Sequence, residues 1–249
     1  MTIRAVVRGI GHYLPERVVP NSEFEATLDT SHDWIVSRSG IHQRHFAAEN
    51  ETTSDLAIQA ANRALAAAGL DPNDLDAIIV ATSTADLTFP SAATMVQNGI
   101  GMTRGFAYDV QAVCAGFVFA LSTANAQIVS GQANRVMVIG AETFSRIMDW
   151  QDRTTCVLFG DGAGALILEA QEGQGDKSDR GILSVDLNSD GRHRDILYVD
   201  GGVSTQTTGY LRMHGKEVFR HAVEKLAATA QTAMTRAKIT SDEVDWVVP

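Results

Sequence analysis

Short apolar runs rich in β-branched residues alternate with alanine-rich runs along the first two thirds of the chain. The short runs predict strands, and the alanine-rich runs, whose apolar residues recur every three or four positions, predict helices. The predicted strands cover residues 5–9, 77–82, 106–110 and 136–140, and the predicted helices cover residues 55–68, 91–99 and 115–129. This alternation predicts an α/β fold with a largely buried sheet.

One order of elements occurs twice at a constant offset along the sequence: a helix, a short turn, an acidic residue and an apolar strand. Many α/β units share this order, but the acidic residues in register favour an internal duplication over coincidence. The matching pairs are Ala64 and Ala233, Leu65 and Met234, Leu70 and Ile239, Leu75-Asp76 and Val244-Asp245, and Ile78-Ile79 and Val247-Val248.

The duplication predicts two related halves, residues 1–170 and residues 171–249. The first copy of the repeat is followed by further helices and strands, whereas the second copy is followed only by Pro249. We therefore expect the second half to be incomplete in this chain. An unfinished sheet would expose a strand edge, so we also expect self-association or partial disorder.

Composition narrows the class of protein. The 249 residues are 45% hydrophobic and 20% charged, as expected of a globular chain able to bury a core. A net charge of −10 argues against nucleic acid or an anionic membrane as the main partner. No apolar run approaches the ~20 residues that span a bilayer, and the N-terminal residues do not read as a signal peptide. We expect a cytoplasmic protein.

The two cysteines, Cys114 and Cys156, are too few for a disulfide framework. Cys114 falls between the predicted strand 106–110 and the apolar run of the next helix, which places it at a helix N-terminus. The backbone N–H groups and the macrodipole there favour a thiolate and can stabilise an oxyanion. On spacing alone, a buried structural cysteine is the alternative for Cys114. Cys156 lies in a run that predicts a buried strand, so we expect it to be a packing residue.

Several segments resemble one known family. The string DVQAVCAGFVFAL at 109–121 closely resembles the active-site segment of the β-ketoacyl-[acyl carrier protein] synthase III family, and the similarity extends from Gly9 to Pro249. The resemblance implies the thiolase-like fold, two duplicated α/β halves in an α-β-α-β-α layering. The other matching segments are 29–31, 34–36, 38–41, 89–93 and 159–165.

The resemblance implies a two-step reaction that primes fatty acid synthesis. A short acyl group passes from coenzyme A to Cys114, and malonyl-acyl carrier protein then loses carbon dioxide and attacks the thioester. It implies no cofactor or metal, since coenzyme A enters as a thioester substrate. The family's catalytic histidine is expected immediately after Pro249, with an asparagine and a glycine-rich segment further on. We therefore expect the 249-residue chain to be defective in condensation.

The resemblance also implies binding roles. Trp34 and Arg153 are expected to sandwich the adenine of coenzyme A, and Thr30 and Arg38 to meet the nucleotide. Lys216 and Arg220 are expected to form a basic rim for the acidic carrier protein, although Arg220 alone is equally typical of a solvated helix face. The residues expected along the pantetheine tunnel are Leu211, Met213, Gly215, Phe219 and Ala222.

Three phenylalanines match acyl-pocket positions of the family. Phe144 and Phe159 are expected to line the pocket, and Phe89 is expected to cross the interface of a homodimer into the partner's pocket. Phe144 is bulkier than the aliphatic residue expected at its position. A short primer such as acetyl is therefore favoured.

Other interpretations are weaker. The glycine run 160–164 leads into a predicted strand and lacks the helix N-terminus that holds phosphate. His42 and His45 lack the further ligands that a metal site needs. Two rival functions remain: another acyltransferase of the same fold, such as a degradative thiolase or a hydroxymethylglutaryl-coenzyme A synthase, and a non-catalytic protein that binds acyl-coenzyme A.

Overall fold

The described residues, 2–248, form six α-helices and nine β-strands in this computed structural model. None of these helices is long and apolar enough to cross a membrane. The strands are β1 (Thr2–Tyr13), β2 (Arg17–Pro20), β3 (Gln43–Phe46), β4 (Ala77–Ala81), β5 (Phe106–Val110), β6 (Arg135–Thr143), β7 (Asp161–Gly173), β8 (Leu197–Val199) and β9 (Leu211–Met213). The helices are α1 (Asn21–Glu25), α2 (His32–Ser39), α3 (Thr53–Ala68), α4 (Ala92–Gly99), α5 (Gly116–Val129) and α6 (Gly215–Ala237).

A five-stranded mixed sheet with the order β1-β7-β6-β4-β5 organises the first 173 residues. β4 runs parallel to β5 and β6, whereas β7 runs antiparallel to both β6 and β1. Every residue of β4 is buried, as expected for a strand covered on both faces. The predicted strand 106–110 coincides with β5, and β4 ends one residue before the predicted strand 77–82 does. β1 and β6 extend beyond the predicted strands 5–9 and 136–140 at both ends.

The helices cover the two faces of this sheet. Successive side chains of β4 point to opposite faces, so Ile78 packs in one core with α3 and α4, while Ile79 packs in a second core with α5. The predicted α/β alternation is therefore confirmed as an α-β-α sandwich. The glycine run 160–164 begins one residue before β7 and forms the first four residues of that strand, so the expected strand is present and no helix N-terminus follows the run.

A third core lies at one end of the sheet, where the β2–β3 ribbon packs with α1, α2 and residues 144–159. The buried Arg44 guanidinium donates to the carbonyls of Val19 and Val157 at 3.1 and 2.8 Å and so joins the ribbon to this segment. Cys156 is fully buried here, so the prediction of a packing residue is confirmed.

The strand predicted around Cys156 is wrong, because its segment turns. The backbone N–H groups of Thr155 and Cys156 both donate to the Asp152 carbonyl at 3.1 Å. The Asp152 carboxylate also accepts from the Thr154 and Thr155 hydroxyls. Aspartate and threonine side chains compete in this way with extended structure.

The two copies of the sequence repeat share their local conformation. α3 is capped at its C-terminus by Gly69 with φ of 66°, and α6 is capped by Lys238 with φ of 57°. The next residue closes both helices with the same bond, Leu70 N–H to the Leu65 carbonyl and Ile239 N–H to the Met234 carbonyl, each 3.1 Å. The 3₁₀ turns 72–74 and 241–243 follow, each preceded by a capping box.

The copies differ in burial and in the strand that follows. Nine residues of α3 are buried, whereas none is buried in the 23-residue α6. Residues 77–81 form β4, but residues 246–248 are exposed and form no strand, so the strand predicted at 247–248 is wrong. Pro249 lies outside the described residues, and the division of the chain at residue 170 stays a prediction.

Candidate active site

Cys114 lies in a tight turn between β5 and α5. Residues 113–115 form a 3₁₀ turn, and α5 begins at Gly116. The predicted place beside a helix N-terminus is therefore confirmed, with the helix beginning two residues after Cys114. The thiol is exposed, which rules out a buried structural cysteine. The positive end of the α5 macrodipole lies two residues after Cys114.

The residue before Cys114 has an unusual backbone. Val113 has φ of 49°, a left-handed conformation that is costly for a β-branched residue. The surrounding structure holds it there through the bond from the Ala115 N–H to the Ala112 carbonyl at 3.2 Å. This turn presents Cys114 at the surface of a cavity.

The cavity beside Cys114 has a volume of about 1350 Å³, large enough to admit part of a thioester substrate. Phe144, Phe159 and Leu211 contribute an apolar wall. The Phe144 and Phe159 rings lie 5.0 Å apart between centroids, tilted by 32°. The two predicted acyl-pocket residues of the chain thus meet each other and share a cavity with Cys114. Phe89 does not line this cavity and is 82% exposed.

A polar wall faces the same cavity. It is formed by hydroxyl-bearing residues that include Thr53, Ser83 and Thr84. Behind it, Glu142 accepts bonds from the Ser83 N–H at 2.8 Å, the Ser83 hydroxyl at 2.7 Å and the Thr84 hydroxyl. Burial raises the pKa of Glu142, while the Thr84 and Ser83 donors lower it. Sequence reasoning missed Glu142, whose signal is a carboxyl group inside a buried strand.

The predicted nucleotide-binding residues gather at α2, and none of them lines the Cys114 cavity. The Trp34 ring lies 4.5 Å from the Arg38 guanidinium and 5.3 Å from that of Arg153. Arg153 also pairs with the Asp29 carboxylate at 3.2 Å. Thr30 precedes α2 by two residues. Three of the four predicted side chains therefore meet around one indole ring.

Of the five predicted tunnel residues, Leu211 lines the cavity, and the tunnel role of the other four stays a prediction. Three of these four lie on the exposed helix α6, where Phe219 is 72% exposed, and Met213 ends β9. Lys216 and Arg220 are exposed on the same helix. The four residues that lie away from the cavity are Met213, Gly215, Phe219 and Ala222.

The β8–β9 hairpin and its loop cover one side of the cavity, which the sequence pattern did not predict. Tyr198, Val199, residues 201–203 and residues 206–208 contribute to the lining. Arg212 holds the hairpin in place, donating to Asp149 and to Asp200 at 2.7 Å each. These two carboxylates raise the pKa of Arg212 further above its usual range.

Comparisons with known proteins give one consistent result. Residues 108–191 match the sequence model of the family described as 3-oxoacyl-[acyl-carrier-protein (ACP)] synthase III. The chain is 74% identical over 249 residues to the β-ketoacyl-[acyl-carrier-protein] synthase III of Roseobacter denitrificans, covering 100% of this chain and 77% of that protein.

Solved structures agree with these sequence matches. The structure resembles the 3-oxoacyl-[acyl-carrier-protein] synthase III of Aquifex aeolicus, with a TM-score of 0.89 and 40% identity over 96% of this chain and 74% of that one. The corresponding protein of Pseudomonas aeruginosa gives a TM-score of 0.89 and 38% identity over 97% and 73%. The predicted thiolase-like fold is confirmed.

Proposed function

Because the chain belongs to the β-ketoacyl-[acyl-carrier-protein] synthase III family, we propose that it transfers a short acyl group from acyl-coenzyme A to Cys114 and condenses it with malonyl-acyl carrier protein. This reaction initiates fatty acid synthesis. One observation carries the proposal: an exposed cysteine stands beside a helix N-terminus and lines a cavity that has an apolar wall.

In the first step, the Cys114 thiolate attacks the carbonyl carbon of the acyl-coenzyme A thioester. The tetrahedral intermediate collapses, the bond from the carbonyl carbon to the coenzyme A sulfur breaks, and the coenzyme A thiolate leaves and takes up a proton. The positive end of the α5 macrodipole stabilises the negative charge of the developing oxyanion. Coenzyme A therefore enters as the thioester substrate, and Cys114 is the nucleophile of this step.

In the second step, malonyl-acyl carrier protein loses carbon dioxide, and the carbanion so formed attacks the acyl thioester on Cys114. A carbon–carbon bond forms, the bond to the Cys114 sulfur breaks, and the thiolate is regenerated. The expected loss of condensation by this chain finds no support in the comparisons, which match the chain from end to end.

The remaining roles complete the proposal. Phe144 and Phe159 contact the acyl group, Trp34 and its two arginine neighbours bind the nucleotide, and Lys216 with Arg220 contacts the carrier protein. The cavity wall and the cation–π contacts support the first two roles, and the exposure of both basic residues supports the third. Phe89 is exposed, as a residue that enters a partner subunit of a homodimer must be. Two free cysteines suit a reducing, cytoplasmic location.

Isotope exchange tests the first step. The protein is incubated with acetyl-coenzyme A and labelled free coenzyme A, and label is expected to appear in acetyl-coenzyme A because acyl transfer to the cysteine is reversible. Cys114→Ala is expected to abolish the exchange, and Cys156→Ala is the matched control that retains it. Exchange that persists in Cys114→Ala would refute the role of this cysteine.

A further inference from the structure

We infer that Asp161 is a positioning residue that fixes the size of the acyl end of the cavity by holding the backbone on both sides of Phe144. This inference deepens the proposed function, since it takes the cavity beside Cys114 as the acyl site. Asp161 does not line the cavity and acts through Phe144 and Phe159, which do.

The Asp161 carboxylate is buried and saturated with donors. Its residue is only 4% exposed. One carboxylate oxygen accepts the Ser145 N–H at 2.8 Å, and the other accepts the Ser145 hydroxyl at 2.6 Å and the Ala47 N–H at 2.8 Å. Two of the three donors are backbone groups, which cannot turn away. A buried carboxylate that accepts three such hydrogen bonds has little freedom to move.

Asp161 also holds the backbone on the N-terminal side of Phe144, through strand pairing. Asp161 is the first residue of β7 and lies opposite Thr143, the last residue of β6. Phe144 follows Thr143 directly and precedes Ser145. Its backbone is therefore held before the ring by the β6–β7 ladder and after the ring by the Asp161 side chain.

Phe159, the second aromatic residue of the apolar wall, is also held by Asp161. Phe159 precedes Asp161 by two residues, and the residue between them, Gly160, approaches the ribbon closely. A Cβ at Gly160 would lie 3.0 Å from the Cβ of Arg44 and 3.2 Å from the His45 carbonyl. Together with the Asp161 bond to Ala47, this contact leaves the Phe159 backbone little freedom to shift.

An amide cannot replace this carboxylate. In Asp161→Asn one position still accepts hydrogen bonds, but the NH₂ group that replaces the other oxygen faces a backbone N–H, that of Ala47 or that of Ser145, which can only donate. The Ser145 hydroxyl can rotate to accept, whereas the backbone group cannot. Either orientation of the amide breaks the bridge that the carboxylate makes between Ala47 and Ser145, so the 144–145 segment can move outward and the cavity beside Cys114 is expected to enlarge.

Size-selective modification of Cys114 tests this directly. Methyl and hexyl methanethiosulfonate are allowed to react with the protein, and the two rates are measured by mass. The ratio of hexyl to methyl rates is expected to rise at least about fivefold in Asp161→Asn, since an alkyl chain gains room where one hydrogen bond is lost. Ile167→Ala is the matched control, because Ile167 is a fully buried residue of β7 outside the cavity lining.

The control separates positioning from general destabilisation. Both variants are expected to lower the melting temperature, but only Asp161→Asn should change the ratio. Equal ratios in Asp161→Asn and Ile167→Ala would overturn the inference and leave Asp161 a role in folding alone. If Asp161→Asn does not fold, Ser145→Ala carries the test, with an expected shift of about twofold from the loss of one donor, and an unchanged ratio in that variant contradicts the inference.

The thiosulfonate reaction needs no coenzyme A, so its result is independent of the proposed function. Failure of isotope exchange in the unmodified protein would refute acyl transfer and leave the size measurement valid. When acyl transfer is observed, a parallel rise in the rate of Cys114 acylation by hexanoyl- relative to acetyl-coenzyme A is expected in Asp161→Asn.

Discussion

Residues 64–79 and 233–248 carry the same sequence pattern and the same helix end, yet one lies in the core and the other on the surface. Both helices stop at a left-handed residue, and both continue into a capped 3₁₀ turn. α3 packs against β1, β6 and β7, and a buried strand follows it. α6 leaves Phe219, Val223 and Leu226 exposed, and no strand follows it within the described residues.

The difference separates two kinds of information in the sequence. Helix ends and turns need only the residues that form them, since caps and left-handed positions are satisfied within a few residues. Burial and strand formation need partners distant in sequence, because a strand satisfies its backbone groups on a neighbouring strand. The first copy has those partners in β5 and β6.

Truncating one leucine on each helix is expected to give the largest difference in stability between the two copies. Leu56 on α3 is fully buried, and Leu56→Ala is expected to lower the free energy of unfolding by about 2–5 kcal/mol, because it leaves a cavity in the core. Leu226 on α6 is 64% exposed, and Leu226→Ala is expected to change the same quantity by less than about 0.5 kcal/mol. Urea denaturation measures both, and comparable losses would show that α6 is buried in solution.

Substitutions at the two helix ends are expected to change stability by smaller amounts, and the two changes are expected to have opposite signs. A side chain at Gly69 meets no atom within 4 Å, so Gly69→Ala carries only the cost of the left-handed backbone and is expected to destabilise by about 1 kcal/mol. Lys238 already bears that cost, and Lys238→Gly is expected to stabilise α6 by a similar amount, about 1 kcal/mol. Helix content by circular dichroism and urea melts check both variants. A loss of stability in Lys238→Gly would contradict the shared conformation.

The smallest expected effect is a pH dependence confined to the second copy. The Lys177 ammonium, the first of several donors, lowers the pKa of Glu243 to about 2 from 4.5. A carboxyl group with a lowered folded-state pKa contributes stability above pH 4.5, and this contribution is lost as the pH falls towards 2. The group is exposed, so salt should weaken the effect. Glu243→Gln is expected to flatten the stability profile between pH 5 and 2. A profile identical to that of the parent would show that the ion pair does not form.

The sequence predicts most of the first region because its signals are local or periodic. The limits of β5 are predicted by the turn signals on either side of its five residues. The position of Cys114 beside a helix N-terminus is predicted by the apolar run that follows it. The β8–β9 hairpin escapes prediction because its three-residue strands carry no usable period and depend on the contact of Arg212 with Asp149. The sequence does not predict the role of Glu142, because its hydrogen-bond donors lie some 60 residues away in the chain.

The resemblance assigns the site better where the region around it is packed. Phe144 and Phe159 reach the cavity because the third core and the Asp161 carboxylate hold them there. Phe219 and Ala222 lie on α6, which makes few contacts with the rest of the described chain, and their tunnel role stays a prediction.

The central claim is that Cys114 accepts an acyl group from coenzyme A, and mass analysis after incubation with acetyl-coenzyme A tests it most directly. Burial raises the pKa of the Cys156 thiol to about 11, so this second cysteine is expected to stay protonated and unmodified at pH 8 and serves as an internal control. We predict one added acetyl group, located on the peptide that contains Cys114 and absent from Cys114→Ala. An unmodified Cys114, or an acetyl group retained in Cys114→Ala, would contradict the claim.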